Sequence, residues 1–229
     1  MKAIQEYLET KQKLLAEHSL FRDLKLGDSK LEDFARMASS VGFWVMSFQD
    51  LLRINLSFIT DEEYYQFIRK HLMEDIGHDK WFLYDLKALN TEQPNLQVLY
   101  NQFHTPVRDA TFLLMSEVFR ANNDYERITL ILALESAGHV FFECVADFIK
   151  ENNCDTSLKY FSSHHLGVEK EHEIFETGMQ DLIGNIQLNH EQKIHHLKMI
   201  DRIYEAFDLM FDGLAIALSP SAALMVAVS

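Results

Sequence analysis

Glycine and proline are scarce in this sequence. The 229 residues include only 8 Gly and 3 Pro, whereas a β-sandwich or β-barrel needs many turns and usually many more of both. Hydrophobic residues make up 48% of the chain and charged residues 24%, which is an ordinary globular composition and excludes a disordered chain. The sequence therefore predicts an all-α protein, and its length fits one large domain over residues 1–229.

Cysteines and long apolar runs are also lacking. Cys144 and Cys154 are too few for a disulfide framework or a structural zinc site. The N-terminal residues alternate charged and apolar side chains and contain no apolar stretch typical of a signal peptide. The longest apolar run, Leu214–Ser229, is interrupted at residues 219–221 and does not reach transmembrane length. We therefore expect a cytoplasmic protein without a membrane span, whose apolar tail packs on the bundle or on the second subunit of a homodimer.

Basic residues are few relative to acidic ones. Lys and Arg number 21 against 35 Asp and Glu, which gives a formal charge of −14 at pH 7. Such a surface repels phosphate backbones, so nucleic acid and anionic membranes are poor partners. Acidity of this kind mostly confers solubility, and the partner we expect is a small-molecule substrate.

Apolar residues recur at helical spacing through almost the whole chain. Thr60–Glu63 has the pattern of a capping box, and Asn189 that of an N-cap. No repeat or linker divides the chain. The predicted helices cover residues 4–17, 31–59 as one helix or two in series, 61–90, 106–121, 124–150, 156–183 and 190–218, with a helix or loop over 92–105.

Three of the predicted helices carry polar side chains on faces that should be buried. Counted from the first member of each set, the others follow three, four or seven residues later, and therefore lie on one side of a helix. The sets are His71, Glu74, Asp75 and His78; Glu135 and His139; and His165, Glu169 and His172. Glu135 stands in an otherwise apolar helix, where a carboxylate is costly to bury unless cations compensate it.

Each set also has an ordinary structural explanation. A single His on an apolar face is more often a satisfied core residue than a ligand. Residues 71–78 could form a surface ion-pair array, Arg120 or Arg53 could neutralise Glu135, and residues 165–172 could be a solvated face. These explanations weaken together, because all three helices present His and carboxylate at helical spacing.

Carboxylates and imidazoles from several helices of a bundle are the ligands of a non-haem di-iron or di-manganese centre. Zinc would be satisfied with fewer carboxylates and is the second choice. The familiar four-helix pattern with two Glu-x-x-His pairs is absent from the sequence. The third set forms a His-x₃-Glu-x₂-His motif instead.

That motif resembles the His-x₃-Asp-x₂-His of the haem-oxygenase-like di-iron oxidases. His78 and Glu135 match further ligands of the family in order, with 56 residues between them and 29 more before His165, similar to the family's spacing. The segment His18–Leu52 looks like the opening shared by this family and its thiaminase II relatives, and Glu74–Leu86 looks like its first ligand helix. The resemblance implies a haem-oxygenase-like bundle of about seven main helices, in the superfamily that also contains the pyrroloquinoline-quinone synthesis oxidase.

The resemblance also implies two irons per chain, the second weakly held, with manganese or zinc less expected. The implied ligands are Glu74, His78, Glu135, His165, Glu169 and His172. The third motif departs from the family, because Glu169 stands where the family has Asp. Family members place the first-helix carboxylate at different intervals, so Asp75 and His71 stay open as alternatives to Glu74. His139 could support the site from one turn beyond Glu135.

The implied function is a di-iron oxidase or oxygenase that uses O₂ to oxidise a small organic substrate, such as a fatty acid, an amino acid or a related metabolite. Candidate pocket residues are aromatic: Phe43, Trp44, Phe48, Tyr84, Phe141 and Phe142. One alternative is a thiaminase II-like pyrimidine hydrolase with Cys144 as nucleophile. Others are haem degradation with His18 as a ligand, and a non-catalytic dimeric interaction module of the same fold.

Overall fold

The computed structural model describes residues 2–26, 29–91, 93, 95–171 and 186–219, apart from the side chains of residues 168–171. All regular structure in these ranges is helical, which confirms the predicted all-α fold. The helices are α1 (Lys2–Leu15), α2 (Ser19–Lys25), α3 (Leu31–Ser40), α4 (Gly42–Ser57), α5 (Glu62–Glu74), α6 (His78–Ala88), α7 (Leu96–Leu99), α8 (Thr105–Arg120), α9 (Asp124–Glu151), α10 (Ser163–Glu171) and α11 (His190–Leu218), with a 3₁₀ turn at Gln102–His104.

Side-chain caps explain where several helices begin. Asn123 accepts a hydrogen bond from the Glu126 amide at the start of α9, and Asn189 forms a capping box with Gln192 at the start of α11. Asp61 caps α5 by accepting from two amides of its first turn. The region 31–59, predicted as one helix or two in series, is two helices that meet at Val41.

The predicted helix 61–90 is wrong in one respect, because it is interrupted between α5 and α6. Gly77 has φ +103°, a backbone conformation that other residues rarely adopt, and the chain turns there before α6 begins at His78. His71 and Glu74 therefore lie on α5, whereas His78 begins a separate helix. The four polar residues of this region do not form one continuous helical stripe.

The predicted start of the helix over 156–183 is also wrong. The backbone from Cys154 to Ser162 forms turns, and α10 begins at Ser163. The amides of Lys159, Tyr160 and Phe161 donate to the Asp85 carboxylate instead of to helix carbonyls. A side chain distant in sequence thus takes the hydrogen bonds that a helix would need.

The buried apolar residues form one cluster that extends from Ile4 on α1 to Leu218 on α11. That the chain is one domain stays a prediction. Helix α9 lies inside it and packs against α1, α2, α10 and α11. By length and composition this helix could cross a membrane. However, 72% of its apolar 18-residue stretch is buried within the bundle, as expected of a core helix. The predicted apolar tail Leu214–Val228 is buried at Leu214, Ala217 and Leu218, and its residues from 220 onwards lie outside the described ranges.

Candidate functional site

A small cavity of about 40 Å³ lies where α4, α9 and α10 meet the junction of α5 and α6. Its lining combines aromatic and aliphatic side chains with carboxylates, imidazoles and one amide. The described residues that line it are Trp44, Val45, Phe48, Gln49, Asp75, His78, Asp79, Leu134, Glu135, Gly138, Phe142, Tyr160 and His165. Three of the six predicted ligands, from three different helices, thus share one cavity.

The junction of α5 and α6 supplies Asp75 and His78. Both are buried, and Asp75 Oδ1 lies 2.7 Å from His78 Nδ1. Gln49 on α4 donates from its side-chain amide to the other oxygen of Asp75. The ring of His78 stacks on Trp81, with ring centres 4.7 Å apart. The turn at Gly77 brings these donors to the cavity, since it allows α6 to begin with its first residue facing inwards.

His165 approaches His78 from α10. Its Nε2 lies 3.2 Å from His78 Nδ1, and the residue is only 1% exposed. Its ring stacks on Tyr160 at 4.8 Å between centres and meets the edge of Phe142 at 4.2 Å. Two imidazoles 87 residues apart in sequence are therefore in contact inside an aromatic enclosure.

Glu135 and His71 form a second polar contact at the cavity, between α9 and α5. His71 Nε2 lies 3.0 Å from Glu135 Oε1 and donates to it. Burial alone would lower the pKa of His71, but the facing carboxylate outweighs burial and holds that pKa above the ordinary value. Among the described residues His71 Nδ1 has no hydrogen-bond partner, although it is buried.

The remaining predicted ligands are placed differently. Glu74 pairs with Lys70 at 3.7 Å, is partly exposed and does not line the cavity, whereas the alternatives Asp75 and His71 lie at the cavity or against Glu135. The side chain of Glu169 and the whole of His172 lie outside the described part of the chain. His139 pairs with Glu143 at 3.2 Å and is a third exposed.

The pocket aromatics were predicted in part. Trp44, Phe48 and Phe142 line the cavity as expected. Three others are absent from the described lining: Phe43, Tyr84 and Phe141. Sequence reasoning missed Gln49 and Tyr160. Gln49 could have been found from its position four residues after Val45, on the same side of a helix, but nothing near Tyr160 in the sequence indicates the turn that carries it.

The residues required by two alternative functions stand elsewhere. Cys144 is buried, and burial raises the pKa of its thiol to about 11, so it is a poor nucleophile at neutral pH. It is not among the described residues of the cavity. His18 caps α2, accepting from the Leu20 amide with Nδ1 while Nε2 lies 3.2 Å from Asp212, so both of its ring nitrogens already have partners.

Carboxylate and imidazole donors reach the cavity from α6, α9, α10 and the junction of α5 and α6. These are the types of side chain that iron and manganese take as ligands. Within the described ranges, no three His, Cys, Asp or Glu side chains are arranged to hold an ion as they stand. Glu169 and His172 are the two further donors that the sequence predicts for the same place.

Comparison with known proteins identifies the fold. No protein-family model matches the sequence, and no curated protein matches it. Among solved structures, the chain is similar to a domain of unknown function with a haem-oxygenase-like fold from Shewanella denitrificans. The sequence identity is 11%, the match covers 100% of this chain and 94% of that one, and the TM-score is 0.65. The chain therefore has a haem-oxygenase-like fold, and at this identity the likeness concerns the fold alone.

Proposed function

We propose that this protein is a non-haem di-iron oxidase or oxygenase that acts with O₂ on a small organic substrate. The observation that carries the proposal is the convergence of Asp75, His78, Glu135 and His165, from separate parts of the fold, on one largely buried cavity. A helical bundle has no structural need for this many buried carboxylates and imidazoles at one point. Iron, when bound, would supply the binding and reduction of O₂.

The charge of the cavity supports the proposal. Asp75, Asp79 and Glu135 bring carboxylates to its wall, and no Lys or Arg is found among its described lining residues. Carboxylates in a partly desolvated site need cationic partners. Divalent ions held between them and the histidines would provide that compensation.

The other lining residues have distinct tasks in this proposal. Gln49 donates to Asp75 and so orients that carboxylate. Trp44, Phe48 and Phe142 form an apolar wall that excludes water and offers a surface for the carbon skeleton of the substrate.

The proposal is tested by anaerobic titration of the purified protein with Fe(II), followed by metal analysis of the desalted complex. We expect up to two irons per chain in the wild type. Alanine at His78, Glu135, His165 or His172 should weaken iron binding by at least about tenfold, because each substitution removes a donor. The matched control is His164→Ala, since His164 is the exposed neighbour of His165 and should not affect iron loading.

The outcomes separate the proposal from its alternatives. Consumption of O₂ by the iron-loaded protein, lost in the same variants, supports an oxidase. Wild-type protein that binds no Fe(II) would instead favour a non-catalytic interaction module. Pyrimidine hydrolysis that depends on Cys144 and persists without iron would favour a thiaminase II-like enzyme.

A further inference from the structure

Asp85 is a buried carboxylate on α6 that does not line the cavity. The residue is 0% exposed. Its Oδ1 accepts from the Lys159 amide at 2.8 Å, and its Oδ2 accepts from the Tyr160 and Phe161 amides at 2.8 and 2.9 Å. Burial raises the pKa of Asp85 above the ordinary value of Asp, although the three N–H donors act against that rise. A carboxylate in such a place is tolerated because its hydrogen bonds offset the cost of desolvation.

The bonds of Asp85 connect the two helices that carry the facing imidazoles. Asp85 follows His78 by seven residues, which is two turns along the same side of α6. The amides that it holds belong to the segment directly before α10, and Tyr160 within that segment stacks on His165. The position of His165 relative to His78 therefore depends on the hydrogen bonds between Asp85 and this segment.

We propose that Asp85 is a positioning residue of the metal site, which fixes His165 against His78 by anchoring the segment from Lys159 to Phe161. The inference rests on the proposed function, because it concerns the affinity and geometry of the same centre. It assigns to a side chain about 10 Å along α6 from His78 a role in metal binding without contact to the ion.

The three bonds need both oxygens of a carboxylate. Asparagine offers one acceptor oxygen, and its NH₂ group would face a backbone N–H. Asp85→Asn therefore loses at least one bond and sets two donors against each other, which displaces the segment and with it His165. Loss of a group that orients a metal ligand typically weakens metal binding by about 10- to 100-fold.

The test compares the wild type with Asp85→Asn by anaerobic titration with Fe(II) and with Co(II), whose visible absorption reports its coordination. We expect affinity for both metals to fall by about 10- to 100-fold and the Co(II) spectrum to change. Hydrogen–deuterium exchange of the metal-free protein should show faster exchange at the amides of Lys159–Phe161.

The matched control is Glu117→Gln. Glu117 is also buried, at 2% exposed, and binds Arg120 and Arg202 between α8 and α11, away from the cavity. Its substitution should lower thermal stability and leave metal affinity and the Co(II) spectrum unchanged. Equal loss of affinity in Glu117→Gln and Asp85→Asn would overturn the inference, because the effect would then reflect general destabilisation.

Two further results are informative. If the wild type binds Fe(II) or Co(II) and Asp85→Asn keeps the same affinity and spectrum, the positioning role alone is overturned. If the wild type binds neither metal, the proposed function is overturned, and the inference with it. If Asp85→Asn does not fold, Asp155→Asn replaces it. Asp155 holds the amide and hydroxyl of Ser163, the first residue of α10, at 2.8 and 2.6 Å. Because the segment from Lys159 to Phe161 leads directly into this residue, reduced affinity in that variant supports the placing of His165 by the chain before α10, and wild-type affinity contradicts it.

Discussion

Buried histidines are the residues whose chemistry depends most on their surroundings in this fold. His196 on α11 has its Nδ1 2.7 Å from the hydroxyl of Thr129, and that hydroxyl already donates to the Tyr125 carbonyl. The imidazole therefore donates from Nδ1. Burial lowers the pKa of His196 below the ordinary value, so the folded protein prefers the neutral ring.

This preference predicts a loss of stability in acid. As the pH falls below about 6.5, the unfolded chain takes up a proton that the buried ring resists, so the free energy of unfolding decreases. His196→Asn keeps a donor near the position of Nδ1 but does not titrate, and should reduce the slope of stability against pH between pH 7.5 and 5.5. Urea unfolding across that range measures it. His190→Asn, at the exposed first residue of α11, is the control for the replacement of an imidazole by an amide.

At the scale of elements, the turn between α5 and α6 has the strictest backbone requirement. Gly77 adopts φ +103°, where a Cβ is strained even though no atom beyond the neighbouring residues lies within 4 Å of its position. Gly77→Ala should lower the free energy of unfolding by about 1–2 kcal/mol, measured by urea denaturation. Gly77→Asn should cost less, because Asn tolerates left-handed backbone better. Equal stability of both variants and the wild type would show that the turn adapts without strain.

Sequence periodicity predicted most helices but not the two interruptions at the site. Asn123 and Asn189 cap helices through their own first turns, so local sequence contains the signal. Gly77 is a lone glycine in a helical pattern, a weak sign of a break. The turns before α10 depend on Asp85, 74 residues from Lys159, so no local pattern reveals them. The sequence likewise could not show which of Glu74, Asp75 and His71 faces the site, because their directions depend on the helix interruption at Gly77.

Across the whole molecule, the packing of α11 on α8 depends on a close contact. A Cβ at Gly213 would lie 2.7 Å from Cβ of Pro106, in a rigid ring beside the start of α8. Gly213→Ala should therefore destabilise the protein by about 1–3 kcal/mol in thermal or urea unfolding. Gly138→Ala is the matched control in α9, because a Cβ there meets no atom within 4 Å outside its own stretch of helix. It should be neutral or stabilising by up to about 1 kcal/mol. A greater loss of stability in Gly138→Ala than in Gly213→Ala would contradict the close contact between Gly213 and Pro106.

The homodimer and the cytoplasmic location stay predictions. Helix α8 exposes Phe112 and Phe119, at 54% and 62%, which is unusual for large apolar side chains on a free surface.

We expect removal of residues 220–229 to lower thermal stability or to reduce the mass measured by light scattering. An unchanged oligomeric mass and melting temperature of the truncated protein would show that the tail contributes neither to packing nor to assembly.

The two tryptophans of the sequence stand at the same cavity. Trp44 lines it, and Trp81 stacks on His78. The tryptophan emission of the native protein therefore comes from the cavity wall and from the ring that stacks on His78, without a distant indole to dilute it. Ions with partly filled d shells, and substrates that displace water from that wall, should each change the emission, so the fluorescence of an unlabelled sample can screen candidate metals and substrates.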